Sequence, residues 1–368
     1  MRPWFWFSAL ALLTISCNKD EEDDTSTGSS TVSETGTPTG TTTASGTPTG
    51  GTTSFDWPET AEDYPFSGIT YLHGFTIPNA DSLCCRDFGN ISKDFIENGT
   101  NEVDNALAGI STIASSFGFS LQDTITETVE SGNFVALIDH YDWPGIQGGD
   151  YHMAFFRAEW DPSTTFPLAE AGVGLYRVPE QNFIPGTGEP LATFSSASFD
   201  GANIQASGGS IEIAMPITNT AILVVPLQDV QLTSTANESG QSVAMQNGEL
   251  SGYVTVTDFY DSYNFVVNEA CSCLGLTGDL VEPNGDGTYT YNCVSDALTL
   301  CSAPEEEVCA TMAGTNLFTG GAICTGLDLF IGGVADIDLD GDPTVYEGLS
   351  VGLTFQGVPG EVVGLVTP

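Results

Sequence analysis

Apolar side chains recur along this chain with two different periods, and the change from one to the other outlines its architecture. Val103, Leu107, Ile110, Ala114 and Phe117 fall at steps of four and three, one stripe of a helix with 3.6 residues per turn. Asn101 stands where an N-cap accepts a free amide, and Gly118 where such a helix stops. Leu121, Ile125 and Val129 repeat the stripe as far as Gly132, so a helical hairpin is predicted near the N-terminus. Residues 133–141 and 151–160 are instead apolar and aromatic runs. Trp143-Pro144-Gly145 and Gly148-Gly149 separate them, and they read as paired strands.

After Phe194 the pattern becomes β, with strands predicted over 210–215, 221–231, 242–246 and 250–257. Asn247-Gly248 between two of these runs predicts a hairpin turn, because that pair favours positive φ. Phe259, Tyr263, Val266 and Val267 share one helical face and predict a helix behind the strands. The expected fold is α+β and predominantly β: a twisted antiparallel sheet or sandwich with an N-terminal helical hairpin and a disulfide-rich C-terminal region. Residues 55–193 form the α+β part and 194–368 the β-rich, Cys-rich part, as two domains or as one.

Ahead of this lies a segment of different character. Arg2 precedes a short apolar run over 3–15, which ends in Ser16 and Cys17 before the acidic stretch 20–24. The run is too short to span a bilayer. It reads as a secretion signal over 1–17 whose Leu13-Thr14-Ile15-Ser16-Cys17 resembles a lipobox, with Thr14 where Leu is usual and Cys17 as the acylated residue. The alternative is an ordinary signal peptide cleaved elsewhere. Residues 18–54 are rich in Thr, Gly, Ser and Pro and use Gly-Thr-Pro-Thr-Gly twice, so they bury too little apolar area to offset their ordering entropy. As a flexible coil of about 37 residues this tether spans on the order of 35 Å.

The remaining cysteines are Cys84, Cys85, Cys271, Cys273, Cys293, Cys301, Cys309 and Cys324, an even number in a chain addressed for export, which predicts disulfides. Six fall between Cys271 and Cys324, where apolar runs are few and covalent links compensate for a thin core. Their connectivity is not readable from spacing. Cys84 and Cys85 are expected in two separate bridges rather than joined to each other. A zinc site on Cys271 and Cys273 is the rival reading, disfavoured by the absence of a nearby His and by an oxidising compartment.

Charge narrows the function. The chain has 368 residues, with Asp plus Glu at 49 against Lys plus Arg at 6, and a formal net charge of −43. Nucleic-acid binding through a basic face and a polybasic grip on anionic lipid are both excluded. Its acid content is ordinary, and the missing cations are what is abnormal. No Lys, Arg or His follows Arg177.

The most specific chemical motif is Asp336-Ile-Asp338-Leu-Asp340-Gly341-Asp342-Pro-Thr-Val-Tyr-Glu347. It fits an EF-hand-like loop at positions 1, 3, 5, 6 and 12, since a hard, flexible cation needs many oxygens and a sharp backbone turn. Asp336, Asp338, Asp340, Asp342 and Glu347 are therefore the predicted ligands of a structural Ca²⁺. Pro343 and the flanks 327–331 and 349–355, which read as strands, predict a calcium loop between two β-strands. Asn284-Gly-Asp-Gly287 reads as a hairpin turn. Asp139, His140, Asp142, His152 and Glu159 are a candidate metal or acid–base cluster, the other reading being a polar strand face; no catalytic residue is assigned.

The lipobox, the tether, Glu102-Val-Asp-Asn-Ala-Leu-Ala-Gly109, Asn247-Gly-Glu-Leu-Ser-Gly252 and the Asp-rich loop followed by Leu-Ser-Val-Gly-Leu-Thr-Phe355 together resemble uncharacterised surface lipoproteins of myxobacterium-like bacteria. That resemblance implies no activity. The residues predict a lipid-anchored, calcium-stabilised surface protein of binding or structural type, exported to the outer membrane or cell surface. Its expected partners are the membrane, through the lipid, and an extracellular or envelope ligand. The alternatives are an extracellular hydrolase, a glycosidase using two carboxylates, and a passive component of the cell-envelope coat.

Overall fold

Val, Ile, Tyr and Phe recur in the segments that become strands, and the central strands are buried on both faces. In β2, Val135–Tyr141, the six residues from Val135 to His140 are all buried. The computed structural model describes residues 55–366 except 79–83, 117–119, 165–173, 217–221, 240–241, 286, 302–308, 310–311, 314–323, 325–326 and 343. The predicted signal, Cys17 and the tether, as well as Phe117 and Gly118, lie outside the described residues.

The strands are β1 (Ile69–Thr76), β2, β3 (Gly149–Trp160), β4 (Leu175–Pro179), β5 (Ser196–Phe199), β6 (Asn203–Ser207), β7 (Ser210–Pro216), β8 (Ile222–Ser239), β9 (Ser242–Thr255), β10 (Val281–Pro283), β11 (Tyr289–Tyr291), β12 (Gly348–Pro359) and β13 (Glu361–Val366). The helices whose bounds are described are α1 (Lys93–Asn98), α2 (Ala106–Ser116), α3 (Leu121–Glu130), α4 (Val256–Ala270), α5 (Ala297–Leu300) and α6 (Leu327–Val334). The large sheet is mixed: β13 pairs with β4 in parallel, and the other pairings are antiparallel. It is predominantly β, as the sequence predicts.

The sheet curls until it meets itself. β3 pairs with β2 along one edge and with β5 along the other, where Tyr151 faces Ala197 and Gly149 faces Phe199. The order β3-β2-β1-β12-β9-β8-β6-β5 therefore returns to β3, a closed antiparallel ring that leaves no unpaired edge along that path. A ring of eight strands is just wide enough for side chains to fill, and Met153, Ile204, Leu72 and Phe355 pack it at 0–1% exposure. Leu107 of α2 and Ile125 and Val129 of α3 meet Phe155, Leu250 and Leu353 around an apolar cavity of about 30 Å³, so the two helices close one end. Both predicted halves contribute strands to this ring, and Phe55–Pro368 is one compact unit.

Local chemistry fixes the helices. Ser120 Oγ accepts the Asp123 amide at 3.2 Å and caps α3. Thr255 Oγ1 accepts the Asp258 amide at 2.9 Å and caps α4, whose Phe259, Tyr263, Val266 and Val267 are buried as predicted. α2 begins at Ala106 rather than near Asn101. Asp104 is drawn into an antiparallel bridge with Arg86, and the Ala106 amide donates to Ser350 Oγ at 2.8 Å, so β12 supplies the cap.

Two other expectations are corrected. Asn247-Gly248 is not a hairpin turn, because β9 runs through it. Asn247 has φ +50°, and β9 carries one residue more than either neighbour: Glu249 and Gln246 face Thr233 and Thr235, while Gly248 and Met245 face Phe355 and Gly357. That is a bulge, and a Cβ at Gly248 would stand 2.4 Å from the Phe355 ring. The chain reverses instead between Ser239 and Ser242. Residues 327–331 are likewise the start of helix α6, not a strand. Leu327 and Ile331 are four apart, a step that satisfies either period, and buried Ala335 continues it. The β10–β11 hairpin spans the predicted Asn284–Gly287 turn.

Candidate metal centre

Between α6 and β12 the backbone closes on itself before the acidic loop opens. The amides of Asp336 and Ile337 donate to the Gly348 carbonyl at 3.0 and 3.1 Å, and those of Glu347 and Gly348 return to Ile337 at 3.0 Å each. From the other side the Lys93 amide donates to Asp336 and the Asp338 amide to Ile91, at 2.7 and 2.8 Å. The base of the loop is thus gripped by β12 and by the segment leading into α1.

Above this base the aspartates fold their own backbone. Asp338 Oδ1 accepts the amides of Asp340 and Gly341 at 3.2 and 2.6 Å, with Gly341 at φ +86°. Asp340 Oδ1 accepts the Asp342 amide at 2.9 Å, and Glu347 Oε2 accepts the Leu339 amide at 3.0 Å. Carboxylate oxygens of Asp338, Asp340 and Glu347 come within 4.8 Å of one another, an acidic triad that can hold a metal ion. Asp338 is buried, Asp340 exposed and Glu347 half-buried. Burial, then the facing charges of Asp340 and Asp338, push the Glu347 carboxyl up.

The other two predicted ligands stand apart. Asp336 turns back onto β12, where Oδ1 accepts the Ser350 amide at 2.8 Å and Oδ2 a short hydrogen bond from Ser350 Oγ. Burial pushes its carboxyl up to about 6. Asp342 binds Thr344 through its amide and hydroxyl, at 3.0 and 2.6 Å, which hold its carboxyl below the usual range. The first position of the motif is lost because strand β12, not a second helix, follows the loop and offers Ser350 as a competing donor. Nothing in the motif announces Ser350; its hydroxyl lies beyond the twelve-residue template.

The strand residues proposed as a cluster do not converge. Asp139 and His140 are neighbours on β2 and so face opposite sides of the sheet. Thr70 Oγ1 donates to the Val243 carbonyl at 2.8 Å, so in its 3.0 Å contact with His140 Nε2 it can only accept. His140 therefore carries its hydrogen on Nε2, and Nδ1 accepts from the Tyr151 hydroxyl at 3.2 Å. Burial lowers this imidazole to about 3. On the other face Asp139 accepts the Gly68 amide at 3.1 Å beside the Tyr64 phenol, and burial raises it to about 6. His152 packs against Phe55 and Trp57, Glu159 faces Arg177 across the β3–β4 pair, and Asp142 sits at a positive-φ turn.

The cysteines pair off as Cys271–Cys309, Cys273–Cys301 and Cys293–Cys324, with Cα atoms 5.3, 5.3 and 5.8 Å apart. That removes Cys271 and Cys273 from any zinc site. Cys84 and Cys85 form a vicinal pair instead of the two separate bridges expected, so all eight cysteines among the described residues are paired. Among known proteins, no family model, no curated protein and no solved structure matches this chain.

Proposed function

We propose that the chain is a lipid-anchored, calcium-stabilised bacterial surface protein of binding or structural type, holding Ca²⁺ between Asp338, Asp340 and Glu347. The convergence of those three carboxylates within 4.8 Å carries the reading. The ion pairs among the described residues, Arg86–Asp229 and Arg177–Asp161, lie elsewhere, so no described basic side chain neutralises the triad by ion pairing. An all-oxygen donor set on a wound loop suits a hard cation of variable coordination, with water and backbone carbonyls completing its shell. Anchoring through Cys17 and display on the 18–54 tether rest on the sequence. Disulfide pairing is in keeping with an oxidising, calcium-bearing exterior.

Calorimetric titration of the full chain tests the metal. Calcium binding is expected in the parent and in Asp342→Asn, and its loss in Asp340→Asn combined with Glu347→Gln. Absence of binding at millimolar calcium, or equal binding by the double variant, rejects the site. Cys17→Ser is expected to move the protein from the membrane fraction to the soluble one; unchanged membrane retention rejects the anchor.

A further inference from the structure

Cys271–Cys309, Cys273–Cys301 and Cys293–Cys324 span 38, 28 and 31 positions of the chain, whereas Cys84–Cys85 joins sequence neighbours and closes no loop. A cross-link stabilises a fold mainly by restricting the unfolded chain, and the restriction grows with the loop it closes. The same quantity sets resistance to reduction. Around the cycle of folding and reduction, what a bridge adds to the fold is what the fold adds to the bridge, so each long-loop bridge is roughly 30- to 700-fold harder to open in the folded chain than in the unfolded one. That protection is largely missing for Cys84–Cys85.

The pair lies beside β12 just beyond the last residue of β1 that pairs with it, where Thr76 faces Thr354. Asn105 takes over there, its side chain accepting the Gly352 amide at 3.1 Å and donating to the Gly352 carbonyl at 3.2 Å. Cys85 Sγ rests against the same glycine, 3.2 Å from where a Cβ would stand, and 3.6 Å from the Leu353 carbonyl. Cys84 is only 9% exposed while Cys85 is half-buried, so an incoming thiol meets Cys85 Sγ. Opening the bridge leaves its surroundings anchored. Arg86, the next residue, donates to the Asp229 carbonyl and carboxylate at 2.8 and 2.7 Å, and its own carbonyl accepts the Asp104 amide at 2.9 Å. The freed Cys85 thiol then has the Leu353 carbonyl as acceptor for its hydrogen.

We infer that Cys84–Cys85 is a reversible exchange site for small thiols and disulfides, working while the chain stays folded. A thiolate attacks Cys85 Sγ, the bond to Cys84 breaks, and Cys84 leaves as a thiolate that takes a proton from solvent. A second thiolate attacks the reagent sulfur of this mixed disulfide, releasing Cys85 as a thiolate and the reagent as its own disulfide. Two small thiols are thereby oxidised and the bridge is reduced by two electrons. A small disulfide reverses both steps. The site does not depend on calcium in the loop.

Graded dithiothreitol without denaturant, followed by alkylation and peptide mapping of the full chain, tests the order of opening. Cys84 and Cys85 are expected to be alkylated at a ratio of reduced to oxidised reagent at least about 30-fold lower than the six cysteines from Cys271 to Cys324, with circular dichroism unchanged. Alkylation of all the pairs together, loss of the folded signal as Cys84 and Cys85 open, or their alkylation before any reductant is added overturns the site. Hydroxyethyl disulfide tests which sulfur is attacked. Cys84→Ser is expected to keep a mixed disulfide on Cys85, and Cys85→Ser to leave buried Cys84 largely unmodified. The parent, first reduced at this pair, is expected to end closed and without adduct, because Cys84 expels the reagent. Equal adducts on the two variants, or a stable adduct on the parent, overturn exchange through Cys85. Should a variant fail to fold, the alkylation order in the parent decides.

Discussion

The strand ring and the cysteine-bridged segment that follows α4 are held by different forces. In the ring, Phe156 is fully buried against Tyr64, Phe66 and Phe183 at 5.4–5.7 Å between ring centroids, and the polar groups of His140, Thr70 and Tyr151 satisfy one another. Between Cys271 and Cys324 the described elements are short, and include a turn of helix at 272–274, the β10–β11 hairpin and α5. Three disulfides link that segment. Close packing penalises any vacancy in the first region. In the second, covalent closure limits the unfolded ensemble around short elements, with Leu280, Val281 and Met312 buried beside the bridges.

The largest expected effect lies in the ring. Phe156→Ala should destabilise the whole unit by about 3 to 5 kcal/mol, seen as a single cooperative shift in urea unfolding. If hydrogen exchange rose only in β2 and β3, the ring would not be one cooperative body. Replacing Cys293 and Cys324 together by Ser should cost about 2 to 4 kcal/mol. In contrast to Phe156→Ala, it should raise exchange first within 271–334 and spare β1–β3.

Gly248→Ala should cost about 1 to 3 kcal/mol, because the added carbon must displace the Phe355 ring; Gly285→Ala, at an open positive-φ turn, tests whether backbone freedom alone gives a comparable loss. The smallest effect concerns pH. His140 is lowered to about 3 when folded, so the unfolded chain takes up a proton first and stability is lost as pH falls from about 6.5 toward 3. Asp139, raised to about 6, acts in the opposite direction: its contribution is present near pH 4 and lost as pH rises through 6. His140→Gln should therefore gain stability more steeply than the parent on acidification from pH 6.5 to 4. Equal slopes would show that the imidazole is not buried and neutral.

What the sequence showed and what it hid follow from the range of each interaction. β2, β3, α3 and α4 were legible because their periodicity is local and their burial follows it. The ring closure was not, since the pairing of β3 with β5 leaves no mark in either segment. Asn247-Gly248 misled because positive φ serves a bulge as well as a turn, and only the continuous pairing of β9 with β8 and β12 distinguishes them. Leu327 and Ile331 misled because a step of four belongs to both periods. At the acidic triad, the proximity of Asp338, Asp340 and Glu347 was legible from spacing. The diversion of Asp336 to Ser350 depends on a partner contributed by a strand outside the motif.

The pairing of β1 with β12 places Thr70 opposite Pro359, nearly the two ends of the folded unit. Contacts so distant in sequence form late and slow the search for the native state. A chain emerging N-terminus first, from a ribosome or through a translocation channel, cannot close this ring until its last long strand has arrived. Until then β1 lacks a neighbour on one side, and the order of emergence, not the strength of any single contact, sets when the protein becomes compact.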